Sequence, residues 1–509
     1  MSNIKSYIKG VGSGYINMLV INVVGLLLTP FILKYVTREE FAFYYVAADL
    51  LMWLSLAQLG VSNSYNSYAA QMFGAGKLKE LSFLSSSAWG LQILSALTVI
   101  IVGFVLSFFV ADFFEVDKSI KHVQLFFILL VIASAFTIVN QIYSALLVSA
   151  KEIHISNRIS IISVVPKVIL TVILIFAGWK LVGLALANLL AIIVPILISI
   201  FYVRKHFPDI KISLKYWSKE YNKKLLVSGL WFTLGGVAGI LILGLDRIVI
   251  AKVVSLEIVA SFLITQKLFF LSDKIFSQIL NVSRPFFGQL YGKGSYQMMY
   301  NLYKFFTKFS IFLAVIAASF ILLINEFFIK IWVGSELYAG EAISFWLAIN
   351  FIVQFILLPN RVVLATTLHR LKWQNSLRVV EGVVNLSLSI LLGKQFGIPG
   401  VILGSVISSL LFSNLIFNYY CDEFFRIHNI KLDNKIYFHY LMILLLILTY
   451  LLNIQLNVVL FKLIAIPFIA IFSVFYLKLL LNQSNKEGLL DNLQLPKYLT
   501  YFLKSIKNE

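Results

Sequence analysis

Apolar runs of about 20 residues recur from Val11 to Leu481, and a helix of that length crosses a hydrocarbon layer roughly 30 Å thick. Hydrophobic residues make up 60% of the chain and charged ones only 13%, with a mean hydropathy of +0.90. Such a chain folds as a polytopic membrane protein, all-α, because only helices satisfy their own backbone groups in lipid one segment at a time. The first run begins near Val11, matches the later ones in length and lacks a small-residue cleavage site, so it reads as an uncleaved span. The single cysteine, Cys421, leaves no internal disulfide to form.

About 14 spans are predicted. The first six run roughly from Val11 to Leu33, Phe41 to Asn63, Trp89 to Val110, Leu125 to Val148, Ile155 to Ala177 and Leu181 to Val203. The next six run from Leu225 to Val249, Ile258 to Leu280, Phe305 to Phe328, Ala342 to Leu364, Leu377 to Leu392 and Val401 to Tyr419. The last two run from Phe438 to Leu452 and from Val458 to Leu480. Odd-numbered connections are short, whereas even ones are longer and carry most of the Lys and Arg, which places both termini on the cytoplasmic side. The net charge of +19 is accounted for by basic loops facing anionic headgroups. With no basic soluble domain, nucleic acid is excluded as a partner.

The segment FGAGKLKE, Phe73 to Glu80, has the look of a phosphate-binding loop. An internal repeat dissolves that reading. Shifted by 218 residues, YAAQMFGAGK from Tyr68 to Lys77 lies over FFGQLYGKGS from Phe286 to Ser295, so Lys77 falls on Ser295. The residue after Lys77 is Leu78, where a P-loop needs Ser or Thr. The same shift lays Ile32 to Leu51 over Ile250 to Phe269. The predicted organisation is therefore a six-span N-terminal lobe over 1–203, a basic cytoplasmic linker over 204–224, a six-span C-terminal lobe over 225–421, and spans 13 and 14 with a basic cytoplasmic tail over 422–509. Six spans per copy make the two repeats parallel, related by an axis along the membrane normal, with substrate expected near the midplane between them.

Charges inside spans are costly and face a wet cavity or a partner. On span 8, Lys267, Lys274, Gln278 and Asn281 fall within one narrow arc, and on span 2 Asp49, Asn63, Ser67 and Gln71 form the corresponding one. Under the repeat, Asn63 matches Asn281 and Asp49 matches Lys267, so an ion pair between Asp49 and Lys267 is expected in one transport state. Such arcs either line a cavity or join helices through buried polar contacts, and their recurrence in both repeats favours the cavity. Lys167, beside a possible kink at Pro166, and Glu381 form a weaker pair of candidates, equally compatible with a buried ion pair within one lobe. Asp246 and Arg247 end span 7.

Two six-span repeats, two terminal spans, TPFILKYVTREEFAFYYV at the end of span 1, LDRIVIAKVVSLEIVASF at the end of span 7 and a basic loop between the lobes together resemble the Wzx-type O-antigen repeat-unit flippases. These are polysaccharide exporters of the multidrug/oligosaccharidyl-lipid/polysaccharide (MOP) superfamily, with MATE-like lobes. The resemblance covers essentially the whole chain through diffuse motifs. It implies a bacterial inner-membrane transporter that moves undecaprenyl-diphosphate-linked oligosaccharide to the periplasmic leaflet for O-antigen, lipopolysaccharide or other surface polysaccharide. Other polysaccharide-assembly membrane proteins are implied as partners. On that reading Lys267, Lys274, Arg247 and Lys167 attract the diphosphate, and Gln278, Asn281 and Asn63 bond the sugar. Asp49, Asp246 or Glu381 serves coupling or gating, with a proton or sodium ion as the coupling species and no cofactor.

Two relatives of that exporter are alternatives. A multidrug extruder of the same superfamily typically has an acid in span 1, where this chain has only Asn17 and Asn22. A flippase for the lipid-linked peptidoglycan precursor has an arginine-rich first span, absent here. An enzyme is disfavoured, since the outside loops are short and the six histidines are scattered with no metal-ligand spacing.

Overall fold

The computed structural model describes residues 2–281, 284–356, 359, 363 and 371–432. Among these every regular element is helical. The elements are α1 (Ser2–Tyr35), α2 (Arg38–Leu54), α3 (Val61–Gly74), α4 (Leu78–Ser107), the short α5 (Val110–Phe113), α6 (Val123–Ser149), α7 (Ile153–Phe176) and α8 (Lys180–His206). They continue with α9 (Lys219–Leu243), α10 (Asp246–Val253), α11 (Leu256–Asn281), α12 (Arg284–Gly292), α13 (Tyr296–Trp332) and α14 (Glu341–Ile356). Last come α15 (Leu371–Phe396), α16 (Ile398–Ser408), a π-helical stretch Ser409–Ile416 and α17 (Phe417–Ile427). Ten of the described helical segments are long and apolar enough to span a membrane. The predicted spans 13 and 14 lie outside the described residues. Some helices outrun the bilayer: α13, at 37 residues, is about 55 Å long at 1.5 Å per residue.

By internal contacts the chain divides into Met1–Ala260 and Ser261–Glu509. In the first unit Val61, Tyr65, Leu81, Leu84, Ile142, Leu146 and Leu225 form a closed core. Lipid tails are as apolar as leucine, so close approach at small residues holds such helices together rather than the hydrophobic effect. At Gly103 a Cβ would sit 2.6 Å from both methyls of Val131, which is why α4 and α6 can cross there. The second unit packs Phe287, Met299, Tyr300, Phe417, Cys421 and Phe425 together.

The duplication read from the sequence is visible in the backbone. In the first copy the Lys77 amide bonds Met72 O at 3.0 Å, Gly76 bonds Phe73 O and Leu78 bonds Gly76 O. In the second, 218 residues on, Ser295 bonds Leu290 O at 3.0 Å, Gly294 bonds Tyr291 O and Tyr296 bonds Gly294 O. Gly76 and Gly294 both have positive φ, +69° and +65°, a conformation cheap only for glycine. The helix starts match too. Thr37 Oγ1 accepts the Glu40 amide at 3.1 Å while Glu40 Oε2 accepts the Thr37 amide at 2.8 Å, a capping box. At the equivalent place Ser255 Oγ accepts the Ile258 amide at 3.3 Å. FGAGK is thus one of two equivalent turns.

The repeats part company within span 2. The sequence reads it as one helix from Phe41 to Asn63, but α2 stops at Leu54, a 3-10 turn covers Ser55–Gln58, and Leu59 and Gly60 are both left-handed, with φ +47° and +64°. In the second copy α11 runs as helix through Ser277 and Gln278, the matching positions. The break exposes carbonyls that others satisfy: Ala57 O accepts Ser95 Oγ at 2.9 Å. A Cβ on Gly229 of α9 would strike Leu59 O, and one on Gly60 would strike Gly229 O. The two glycines therefore let backbones meet at a separation no side chain permits.

The basic linker is strapped down along its length. Ser82 Oγ donates to Asp209 O (3.2 Å) and accepts the Lys211 amide (3.0 Å). Ser86 Oγ donates to Lys211 O (3.0 Å) and accepts the Ser213 amide (3.1 Å). Ser87 Oγ bonds both the carbonyl and the amide of Ser218. This serine ladder on α4 satisfies linker backbone groups that would otherwise lack partners, and it delivers α9 in a fixed register.

Candidate transport site

In the first unit the break in span 2 sorts its polar residues. Asp49, on α2, is 3% exposed. Asn63, Ser67 and Gln71 lie one helical turn apart on α3 and are all exposed. The predicted single arc assumed one uninterrupted helix. The 3-10 turn and the two left-handed residues change its phase, so Asp49 turns inward while the other three remain on a surface.

The buried carboxylate is held by Arg247, whose Nη2 lies 2.7 Å from Asp49 Oδ1. Arg247 sits in the first turn of α10, half-buried beside Asp246. The sequence sought the partner of Asp49 in Lys267; in this structure Arg247 of the same unit supplies it. Asp49 Oδ2 is buried and has no hydrogen-bond partner among the described residues. Nearby, Lys252 Nζ bonds Glu115 Oε1 at 2.6 Å, and Glu39 Oε1 accepts the Asp117 amide at 2.7 Å. The C-terminal end of span 7 is thereby clasped to α2 and to the loop after α5. Arg247, expected to bind substrate, has its charge balanced by Asp49.

Further along α9, Ser64 Oγ and Ser228 Oγ are 2.6 Å apart, and Lys224 Nζ lies 4.6 Å from the ring centre of Tyr68, a cation–π contact. Beside Ser228, Gly229 abuts Leu59 and Gly60, so span 7 is fastened at both of its ends.

In the second unit Lys267 is half-buried and already engaged, and Lys274 is exposed with Nζ 4.9 Å from the Phe270 ring centre. The side chains of Gln278 and Asn281 lie outside the described residues. Glu381, on α15, is fully buried, and its Oε2 accepts Ser413 Oγ at 2.6 Å from the π-helical stretch. A π turn widens the helix locally and often marks a functional position. Asn385, the repeat partner of Lys167, is also buried and accepts Ser389 Oγ (3.0 Å) and Ser405 Oγ (3.3 Å). Lys167 itself is half-buried on α7, which continues unbroken through Pro166.

The sequence missed the N-terminal third of α9, whose lysines it counted as linker. A heptad-like spacing through Glu220, Lys223, Lys224, Val227 and Trp231 was the available signal, masked by the surrounding basic run.

This arrangement defines a multi-pass helical membrane protein whose spans contain both a buried ion pair and exposed polar groups. The MatE family model matches residues 15–173. The chain is similar to a multidrug resistance MATE family transporter of the MOP superfamily solved in an inward-facing conformation, with TM-score 0.65 and 15% identity over 81% of this chain and 95% of that one. It is likewise similar to a MOP superfamily transporter from Pyrococcus furiosus, with TM-score 0.60 and 14% identity over 84% and 97% of the two chains. The work on that transporter concluded that reverse polarity of its binding pocket suggests a different function. The uncharacterized membrane protein EpsK of Bacillus subtilis (strain 168) is 20% identical over 395 residues, 77% of this chain and 78% of that protein. The fold is that of the MATE transporters, and the matched family segment falls on its first five spans.

Proposed function

We propose that this protein is a flippase exporting undecaprenyl-diphosphate-linked oligosaccharide repeat units, for O-antigen or another surface polysaccharide, across the bacterial inner membrane by alternating access. Fold alone does not choose among substrates, so the reading rests on charge. One observation carries it: Asp49, the buried in-span acid of the first unit, is neutralised by Arg247, with Asp246 half-buried beside that arginine at the end of span 7, while the exposed face of α3 offers amide and hydroxyl groups at Asn63, Ser67 and Gln71. An extruder of organic cations needs an accessible anion; a glycan carrier needs neutral hydrogen-bonding groups and cations for phosphate. Lys267 and Lys274 are the proposed cations of the second unit, with Gln278 and Asn281 as sugar ligands, and Glu381 as the coupling acid. The P. furiosus transporter supports treating pocket polarity as the discriminator.

The test is a cell lacking this protein but retaining its glycan pathway. Lipid-linked repeat units should accumulate on the cytoplasmic side and surface polysaccharide should disappear, with wild type restoring export and Lys267→Ala failing to. Normal surface glycan together with sensitivity to cationic dyes would replace this reading with the multidrug extruder.

A further inference from the structure

Within the first unit, the N-terminal third of α9 and Tyr68 of α3 form a shallow cleft. Its floor is one helical face, with Glu220, Lys223, Lys224, Val227, Ser228 and Trp231 following at spacings of three and four residues. Lys223, Lys224 and Trp231 are exposed. Behind the face everything is fixed. Leu225 is fully buried and Ser228 is locked to Ser64. Gly229 abuts Leu59 and Gly60, and the serine ladder anchors the chain just before the helix at Ser218. Two ammonium groups are thus presented on a rigid helix, about 10 Å along the axis from an exposed indole at 1.5 Å rise per residue. Lysines in a tether would be spread by chain motion; these are held in register.

We propose that Lys223 and Lys224 form a diphosphate-binding subsite at the cytoplasmic mouth, with Trp231 stacking on the sugar next to the phosphates. This rests on the flippase reading and names the residues that first receive its substrate. Charge complementarity selects the occupant. Two adjacent cations suit a doubly charged diphosphate, and an indole face suits the apolar face of a pyranose. The Tyr68 ring, its centre 4.6 Å from Lys224 Nζ, holds that ammonium at the cleft.

The experiment uses the full-length protein in neutral phosphatidylcholine nanodiscs, with farnesyl diphosphate as the probe and indole fluorescence as the readout. Trp231→Phe identifies which part of the signal is local. The Lys223→Ala/Lys224→Ala double variant should bind the probe about tenfold more weakly, the equivalent of one lost charge-assisted hydrogen bond. Lys211→Ala/Lys215→Ala, which removes the same charge from the linker, should bind as wild type does. Both lysine pairs are exposed, so folding is preserved in each.

Equal affinity for wild type and the Lys223/Lys224 variant overturns the subsite alone, as does equal weakening in the linker variant, which would mean diffuse attraction. If phosphatidylglycerol in the nanodisc displaces the probe as well as unlabelled farnesyl diphosphate does, the face is a lipid-headgroup site and the assignment falls. A wild-type protein without affinity for the probe overturns the subsite and the flippase reading together.

Discussion

Replacing Arg247 by Met removes the cation that neutralises Asp49 while keeping an unbranched apolar stem in the same space. Asp49 is 3% exposed and its Oδ2 already lacks a hydrogen-bond partner among the described residues, so the substitution leaves a buried carboxylate with neither oxygen satisfied. Breaking a buried pair from one side typically costs about 3–5 kcal/mol. Asp49→Asn removes the charge but keeps the shape, and Arg247, whose side chain is 25% exposed, keeps some access to polar surroundings. Its expected cost is the smaller one of a charge-assisted hydrogen bond, about 1.5–3 kcal/mol. With both changes made, no uncompensated charge remains, and the double variant should be no worse than the arginine variant alone. The cycle then yields a coupling of at least about 1.5 kcal/mol, measured by reversible unfolding of purified protein in mixed micelles. Membrane-buried hydrogen-bond pairs average about 0.6 kcal/mol by the same method. A coupling at or below that value would refute the claim that this ion pair is what clasps span 7, and would leave the glycine contact as the principal fastening.

Gly229→Val puts a branched side chain against Leu59 O, and since both neighbours are backbone the cost should exceed the usual 1–3 kcal/mol of overpacking, read as loss of the monodisperse folded peak in size-exclusion chromatography. Ser86→Ala strands the Lys211 carbonyl and the Ser213 amide; about 1–3 kcal/mol of local stability should be lost, seen as faster tryptic cleavage after Lys211 or Lys215. Glu115, fully exposed, has its carboxyl held below the usual carboxylate range by the hydrogen bond and charge of Lys252. Because the folded value is the lower one, the stabilisation is complete above the unfolded carboxylate value and disappears as pH falls through the folded value, so Glu115→Gln should flatten the acid limb of a melting-temperature scan.

Hydropathy made the spans legible because each is a long, uniform signal, and the repeat made the two turns legible because glycine at positions 76 and 294 has no cheap substitute at positive φ. The break in span 2 was not legible. SLAQLGV contains one glycine and no proline, and the left-handed Leu59 next to Gly60 depends on Gly229, which lies 169 residues further along the chain. SFLSSSAW likewise reads as a mildly polar helix start, since serine bonding to a linker more than 120 residues away leaves no local periodicity. The phase of the span 2 arc went with the break, and with it the partner of Asp49. Arg247 was recognised as a charge worth noting, but two basic residues at plausible depths cannot be ranked without knowing which way the carboxylate turns.

The serine ladder, the two ion pairs and the glycine contact have a consequence for how this chain can be cut and exchanged. Duplication assigned span 7 to the second copy, yet its fastenings attach it to the first, and the contact boundary falls after Ala260. Genes duplicate at one joint while the folded protein divides at another. A chimera joined at the start of the basic linker would separate Ser86 from Ser213 and Asp49 from Arg247, whereas one joined at Val254, between α10 and α11, keeps every one of these partners in the same parent.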